Sequence, residues 1–252
     1  MTKRIYLAGP EVFLANARGI GIRKRAICER HGLVGVFPGD EEDPCDPALS
    51  PAEQGLAISR AMERVMRRCD AMIVNLTPFR GPSADVGSAY EMGFMRALGR
   101  PLFAYSNDGR SFPDRIASFC GAVRMRTTGE HEDADGMAIE PFALHDNLML
   151  AGGIIASGGC VIVAAAPDTE RYTSLAAFER CAAQAAAALL RWASSPGPYS
   201  ENPAGVRRRG LPQSWAEGVS SVFPTTPGAA LPLTTGRRPR YIPAARARAA
   251  TP

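Results

Sequence analysis

The chain has 252 residues, 46% of them hydrophobic, and a formal net charge of +4. That fraction supports a buried core, yet the apolar runs are too short to span a membrane, and Met149–Ala166 is broken by four glycines. The charge is uneven: residues 196–252 carry eight Arg against Glu201 and Glu217, a net +6, while residues 1–195 carry −2. The basic character belongs to an appendage, so nucleic-acid binding by the folded part is not expected.

In chain order, Lys3–Ala8 reads as a short apolar strand ending at Gly9-Pro10. With a strand read so near the start, no leader and a cytoplasmic location are expected. Asn16–His31 has helical spacing through Ile20, Ile22, Ala26 and Ile27, and Val34–Phe37 is a second strand. Residues 38–50 form an acidic, proline-punctuated loop. Ser50 then caps a helix with Pro51 at its first position and Glu53 at the capping-box position, running to about Arg68. Ala71–Leu76 reads as a buried strand, Ala84–Leu98 as a helix and Leu102–Tyr105 as a strand. Residues 107–140 are polar and mostly loop, with a short helix at Phe112–Phe119. Asn147–Ala156 is helical, Cys160–Ala164 a fifth strand, and Thr173–Trp192 a helix with Leu175, Phe178, Cys181, Ala182, Ala185 and Leu189 on one face.

This alternation predicts an α/β fold, a parallel sheet with helices on both faces. The domain is expected to end near Ser195. Residues 196–252, rich in Pro, Arg and Ala, read as a disordered tail.

The six cysteines (28, 45, 69, 120, 160 and 181) show no CxxC spacing, and the histidines (31, 131 and 145) form no metal pattern. Scattered reduced thiols, no metal and no cofactor are expected. Gly19 and Gly21 lie within a helical stretch and lack the third glycine of a dinucleotide fingerprint, and there is no P-loop.

In an open parallel sheet, ligands bind beyond the carboxyl ends of the strands. Three segments should meet there: the loop Gly9–Phe13, the loop Thr77–Ser83, and the head of the helix carrying Asp85 and Glu91, with Gly87 and Ser88 between them. A helix N-terminus favours negative charge, so both carboxylates are expected to stay ionised. Ser83 is expected as the N-cap. Tyr6, near the end of the first strand, is placed to reach a carboxylate in the crevice. Glu91 sits among Tyr90, Met92, Phe94 and Met95, where a carboxylate is costly without a partner or a job. Singly, each feature has an ordinary explanation: a strand aromatic, a solvated helix glutamate, a first-turn aspartate, two turns.

Taken jointly, IYLAGPEVF, then CDAMIVNLTPFRGPSADVGSAYEMGFMRALGRPLFAYSN, then DNLML, resemble the nucleoside 2-deoxyribosyltransferase family over roughly residues 4–193. The resemblance implies a flavodoxin-like three-layer fold with a five-stranded parallel sheet. It implies Glu91 as nucleophile, Tyr6 as the tyrosine that orients it, and Asp85 as the aspartate that binds the sugar hydroxyl end. Asn147 matches an asparagine donated to the neighbouring subunit's site, hence a homo-oligomer, and Met149 a residue beside the deoxyribose. Gly9, Pro10, Phe13, Phe79, Gly87 and Ser88 are the further substrate-lining residues expected. The family's base-protonating acid is often an aspartate eight residues before the position of Asp70. Met62 stands there, beside Glu63 and Arg64, so the leaving base has no assigned proton donor.

The implied reaction is transfer of deoxyribose between nucleobases through a deoxyribosyl–Glu91 ester, with a deoxynucleoside and a free base as partners. Two alternatives stand beside it. One is hydrolysis of a 2′-deoxynucleoside or its 5′-monophosphate, with Ser83, Ser88 or Arg80 meeting the phosphate. The other is a non-catalytic nucleoside-binding module.

Overall fold

The computed structural model describes residues 2–41 and 46–192. The tail 196–252, expected to be disordered, lies outside the described residues, as does Cys45.

The elements run in the predicted order. Strand β1 (Lys3–Ala8) leads through a single 3-10 turn to α1 (Ala17–Arg30) and β2 (Leu33–Val36). Helix α2 (Pro51–Arg67) precedes β3 (Ala71–Asn75), α3 (Val86–Ala97), β4 (Leu102–Ser106) and α4 (Phe112–Cys120). A two-stranded ribbon, β5 (Arg124–Met125) and β6 (His131–Glu132), comes before α5 (Leu148–Ala156), β7 (Val161–Val163) and α6 (Ala176–Trp192). No described helix is long and apolar enough to cross a membrane.

The main sheet has five parallel strands in the order β2-β1-β3-β4-β7. This is the flavodoxin-like order, with its switch point between β1 and β3. Ile5, Leu7, Ile73, Phe103 and Tyr105 face one way and pack on Ile20 and Ile27 of α1 and on Phe178, Cys181 and Leu189 of α6. Tyr6, Ala8, Met72, Val74 and Ala104 face the other way, onto Val65 of α2, Met92 and Met95 of α3, and Ile154 of α5. The period-2 alternation of β1 therefore puts Tyr6 on the α3 side.

Local chemistry explains the ends. Ser50 and Glu53 form the predicted capping box: Ser50 Oγ accepts from Glu53 N at 3.4 Å, and Glu53 Oε2 accepts from Ser50 N at 2.9 Å. Two expectations are corrected. In α1, Ile22 and Ala26 face outward and Lys24 is buried, because Ile20, Lys24 and Ile27 share one stripe. Residues 107–140 are mostly loop as expected, with α4 at the predicted short helix; the unforeseen addition is the β5–β6 ribbon, closed by a turn in which Gly129 takes φ +87°. The N-cap of α3 is Asp85, not Ser83, and the helix begins at Val86.

Candidate active site

The switch point gathers most of the expected residues. Tyr6 is fully buried on β1, and its hydroxyl donates to Glu91 Oε1 at 2.6 Å. Glu91 reaches it because Ser88, Met92 and Met95 form the inward stripe of α3 and Glu91 borders that stripe. Asp85 lies one turn before Ser88 on the same side. Its Oδ2 accepts from Ser88 N at 2.9 Å and from Ser88 Oγ at 3.1 Å, which satisfies one orphan donor of the helix start. Among the described residues no hydrogen bond falls on Asp85 Oδ1.

The electrostatics depart from the sequence expectation for Glu91. It is the sixth residue of α3, beyond the first turn where the dipole acts. Burial instead pushes its carboxyl up to about 7; the Tyr6 hydrogen bond pulls it down, and the nearby Asp85 charge adds to the rise. Tyr6 itself is held far above its ordinary value, first by burial and then by Glu91, so it stays a donor. The pair is thus a carboxyl near the midpoint of its titration at neutral pH, held by one neutral hydroxyl.

Around this pair lie the loops after β1 and β3. Gly9 takes φ +151°, and a Cβ there would overlap Glu11 Oε2 and crowd Asn75 Cβ, so glycine is required at this position. Pro10 is buried at the start of the following 3-10 turn. Phe13, 57% exposed, stacks on Phe79 with ring centroids 5.2 Å apart and planes 6° apart. The Arg80 guanidinium lies 4.6 Å from the Phe79 ring centre and 5.1 Å from that of Phe13, with the Arg80 backbone at φ +56°. At Gly87, on the exposed side of the α3 head, an added Cβ would meet Asp85 Oδ2 at 3.1 Å and otherwise open space.

Beneath these loops sits a polar group that sequence reasoning passed over. Glu11 and Lys24, each 1% exposed, form an ion pair of 2.5 Å. The same Glu11 Oε1 accepts from Tyr105 Oη at 2.5 Å and Asn75 Nδ2 at 2.9 Å. Asn75 Oδ1 accepts from Thr77 N and Oγ1, and Thr77 Oγ1 accepts from Asn107 N at 3.0 Å. This relay pins the loops after β1, β3 and β4 to one another. Its signal in the sequence was Lys24, a charge on the apolar stripe of α1, which requires a buried partner.

Among the described residues, no hydrogen bond joins Asn147 or Met149 to the Tyr6–Glu91 pair. Asn147 caps α5, accepting from Met149 N at 3.0 Å, and gives its amide to Glu140 at 2.5 Å; Met149 is 73% exposed. The preceding residue, Asp146, joins this helix head to that of α3: it accepts from Asn147 N, from Ala84 N at 3.1 Å and from the Ser83 hydroxyl. Ser83 is therefore engaged with Asp146. Met62 is partly buried on α2, and Glu63 accepts from the exposed Tyr90 hydroxyl at 2.5 Å. A hollow of about 710 Å³ runs along β2 and the start of α1, with Val12, Arg18, Phe37 and Asp40 in its lining; it is not bordered by Tyr6, Asp85 or Glu91. Among the described residues, no group of three or more His, Cys, Asp or Glu is placed to hold a metal ion.

The open parallel sheet, with a part-buried tyrosine–glutamate pair and a capping aspartate at its switch point, defines an α/β protein with paired carboxylates at the edge where such sheets bind ligands. The family model for nucleoside 2-deoxyribosyltransferases matches residues 5–149, and the chain belongs to that family. It is 37% identical over 169 residues to an uncharacterized protein of Schizosaccharomyces pombe, covering 63% of this chain and 80% of the relative. Among solved structures it is similar to a 2-desoxiribosyltransferase from Leishmania mexicana, at 33% identity, covering 59% of this chain and 85% of the other, with a TM-score of 0.44. A conserved protein from Enterococcus faecalis matches at 20% identity, 65% and 92% coverage and a TM-score of 0.44.

Proposed function

We propose that the protein transfers 2-deoxyribose between nucleobases, with Glu91 as the nucleophile. The observation that carries this reading is the 2.6 Å hydrogen bond from buried Tyr6 to Glu91, on a helix that Asp85 caps on the same side. A carboxylate whose donor among the described residues is a neutral hydroxyl keeps its nucleophilicity, and Tyr6 fixes which oxygen faces the sugar. Glu91 attacks C1′ as the C1′–N bond breaks; the electron pair leaves with the base, which takes up a proton. The resulting ester is attacked at C1′ by a nitrogen of the acceptor base, which loses a proton and releases Glu91 as carboxylate. Two displacements retain configuration. Asp85 Oδ1 is the acceptor offered to a sugar hydroxyl, and the Phe13–Phe79 stack the aromatic wall offered to a base.

The hydroxyls of Ser83 and Ser88 are committed to Asp146 and Asp85. This favours a nucleoside over its 5′-monophosphate as substrate. The exposed Met149 at the head of α5 supports an arrangement in which that head meets a second copy of the chain, with Asn147 offered to its site.

The test is incubation with each 2′-deoxynucleoside, with and without a second free base, followed by chromatography. The expected result is a new nucleoside that forms only with the acceptor present and that is lost in both Glu91→Ala and Glu91→Gln. Near-normal turnover in both variants overturns the reading. Base release at the same rate without an acceptor assigns a hydrolase instead, and ligand binding without any base release assigns a binding module.

A further inference from the structure

We propose that Arg115 of α4 is a positioning residue for this site: through Asp146 it sets the α3 head, with Asp85 and Glu91, against the α5 head, with Asn147. The inference rests on the reading of Glu91 and Asp85 given above, and it goes beyond it by assigning a task to residues that touch no substrate.

The geometry is specific. Asp146 has 0% side-chain exposure and Arg115 1%, and they pair at 3.5 Å. Asp146 Oδ1 accepts from the Ser83 hydroxyl and from Asn147 N at 2.8 Å; its Oδ2 accepts from Ala84 N at 3.1 Å and faces Arg115 Nη2. One carboxylate thus holds the residue immediately before Asp85 and the cap residue of α5. Arg115 in turn donates from Nη2 to the His145 carbonyl, while its Nη1 lies 3.2 Å from His145 Nε2. Burial and the Arg115 charge hold His145 down to about 3, so its ring is neutral and able to accept. The guanidinium therefore grips residues 145 and 146 on three atoms, an arrangement a lysine cannot reproduce.

The arrangement is costly in stability. Arg115 Nε is buried without a hydrogen-bond partner, and burial lowers the guanidinium pKa. A buried charge pair of this kind is weak support for stability and a rigid constraint on geometry. What it constrains is the spacing between two helix heads: that of α3, with Asp85 and Glu91 of this site, and that of α5, with the Asn147 offered to the neighbouring copy's site. An error of about 1 Å in such a spacing costs up to about 100-fold in rate.

The experiment compares Arg115→Lys, Arg115→Ala and Ser83→Ala with the parent protein, under conditions where circular dichroism shows each folded. Two readouts are taken: kcat and KM for deoxynucleoside turnover, and the titration of Glu91 by carboxyl NMR, which needs no turnover. The expected result is a kcat about 10- to 100-fold lower in both Arg115 variants, with KM less affected. The Glu91 midpoint moves from about 7 as Asp85 and Tyr6 shift around it, and added guanidinium restores both readouts in Arg115→Ala. Ser83→Ala, which removes one tether and keeps the ion pair, moves both in the same direction by less. Folded Arg115 variants with parental kcat and an unmoved midpoint overturn the proposal. If the Arg115 variants do not fold, Ser83→Ala decides alone, and parental values there overturn it. A parent protein that turns over no deoxynucleoside overturns the reading of the reaction, while the Glu91 titration still tests the role of Arg115.

Discussion

Two glutamates lie at the same end of the sheet, and their surroundings oppose each other. Glu11 is held by the Lys24 charge, Tyr105 and Asn75, all converging on one oxygen. Glu91 has Tyr6 alone, and no cation is paired with it among the described residues. Glu11 is fully buried and Glu91 partly so, and each pays a desolvation cost. At Glu11 a charge partner offsets that cost and locks the loops in place. At Glu91 nothing of comparable strength offsets it, and the carboxyl rises to about 7. A neutralised carboxylate serves as framework; a carboxylate restrained by a single neutral donor stays available for chemistry.

The two environments separate most widely when each glutamate is neutralised in turn. Glu91→Gln should lower deoxynucleoside turnover by about 10³-fold or more without loss of stability in urea, since the amide keeps the shape and removes a strained charge. Glu11→Gln should do the reverse at the level of the fold, costing about 3–5 kcal/mol in denaturant unfolding because Lys24 is left as an uncompensated buried charge. Adding Lys24→Met to Glu11→Gln should recover much of that loss, and a double variant as unstable as the single one would contradict the assignment.

pH separates the two next. Folding raises the Glu91 carboxyl from its ordinary 4.5 to about 7, so the folded state binds the proton more tightly. This contribution to stability is fully present below about 4.5 and is lost as pH rises through 7, by up to about 3 kcal/mol. Activity should run the other way, with an acidic limb near 7 as the nucleophile ionises. In Glu91→Gln the stability loss between pH 4.5 and 7 should flatten by that amount, which unfolding curves at a series of pH values will show.

The smallest effect belongs to the single donor. Tyr6→Phe removes a hydrogen bond to a carboxylate, worth about 1.5–3 kcal/mol. It should lower kcat about 10- to 100-fold and move the acidic limb upward, because that bond is the one influence lowering the Glu91 pKa. An unmoved limb would show that Tyr6 only packs against Glu91.

Much of this was legible in the chain itself. β1 and the capping box of α2 fell where periodicity and cap chemistry placed them, and all six named apolar residues of Thr173–Trp192 are buried. The Tyr6, Asp85 and Glu91 trio was legible through its motif. What escaped notice had weak or misleading local signals. Strands β5 and β6 have two residues each and no period to detect. Ser83 looked like a cap because serine favours that position, but Asp85 lies nearer the first helical turn and takes it. Lys24 was passed over because a lone lysine on a helix is usually solvated, and its partner lies 13 positions away on another element.

The order of elements, the parallel sheet and the residues at its carboxyl edge follow from short-range periodicity and from motifs within β1, β3 and α3, because each of these signals spans only a few residues of chain. Which carboxyl is ion-paired and which stands beside a single hydroxyl is set by the folded packing. That depends on what surrounds each oxygen at 3 Å, on the packing that excludes water, and on contacts such as Arg115–Asp146 that join segments 31 positions apart. The helix carrying Asp85 and Glu91 is local chemistry. The value of about 7 at Glu91 arises from a core assembled around it.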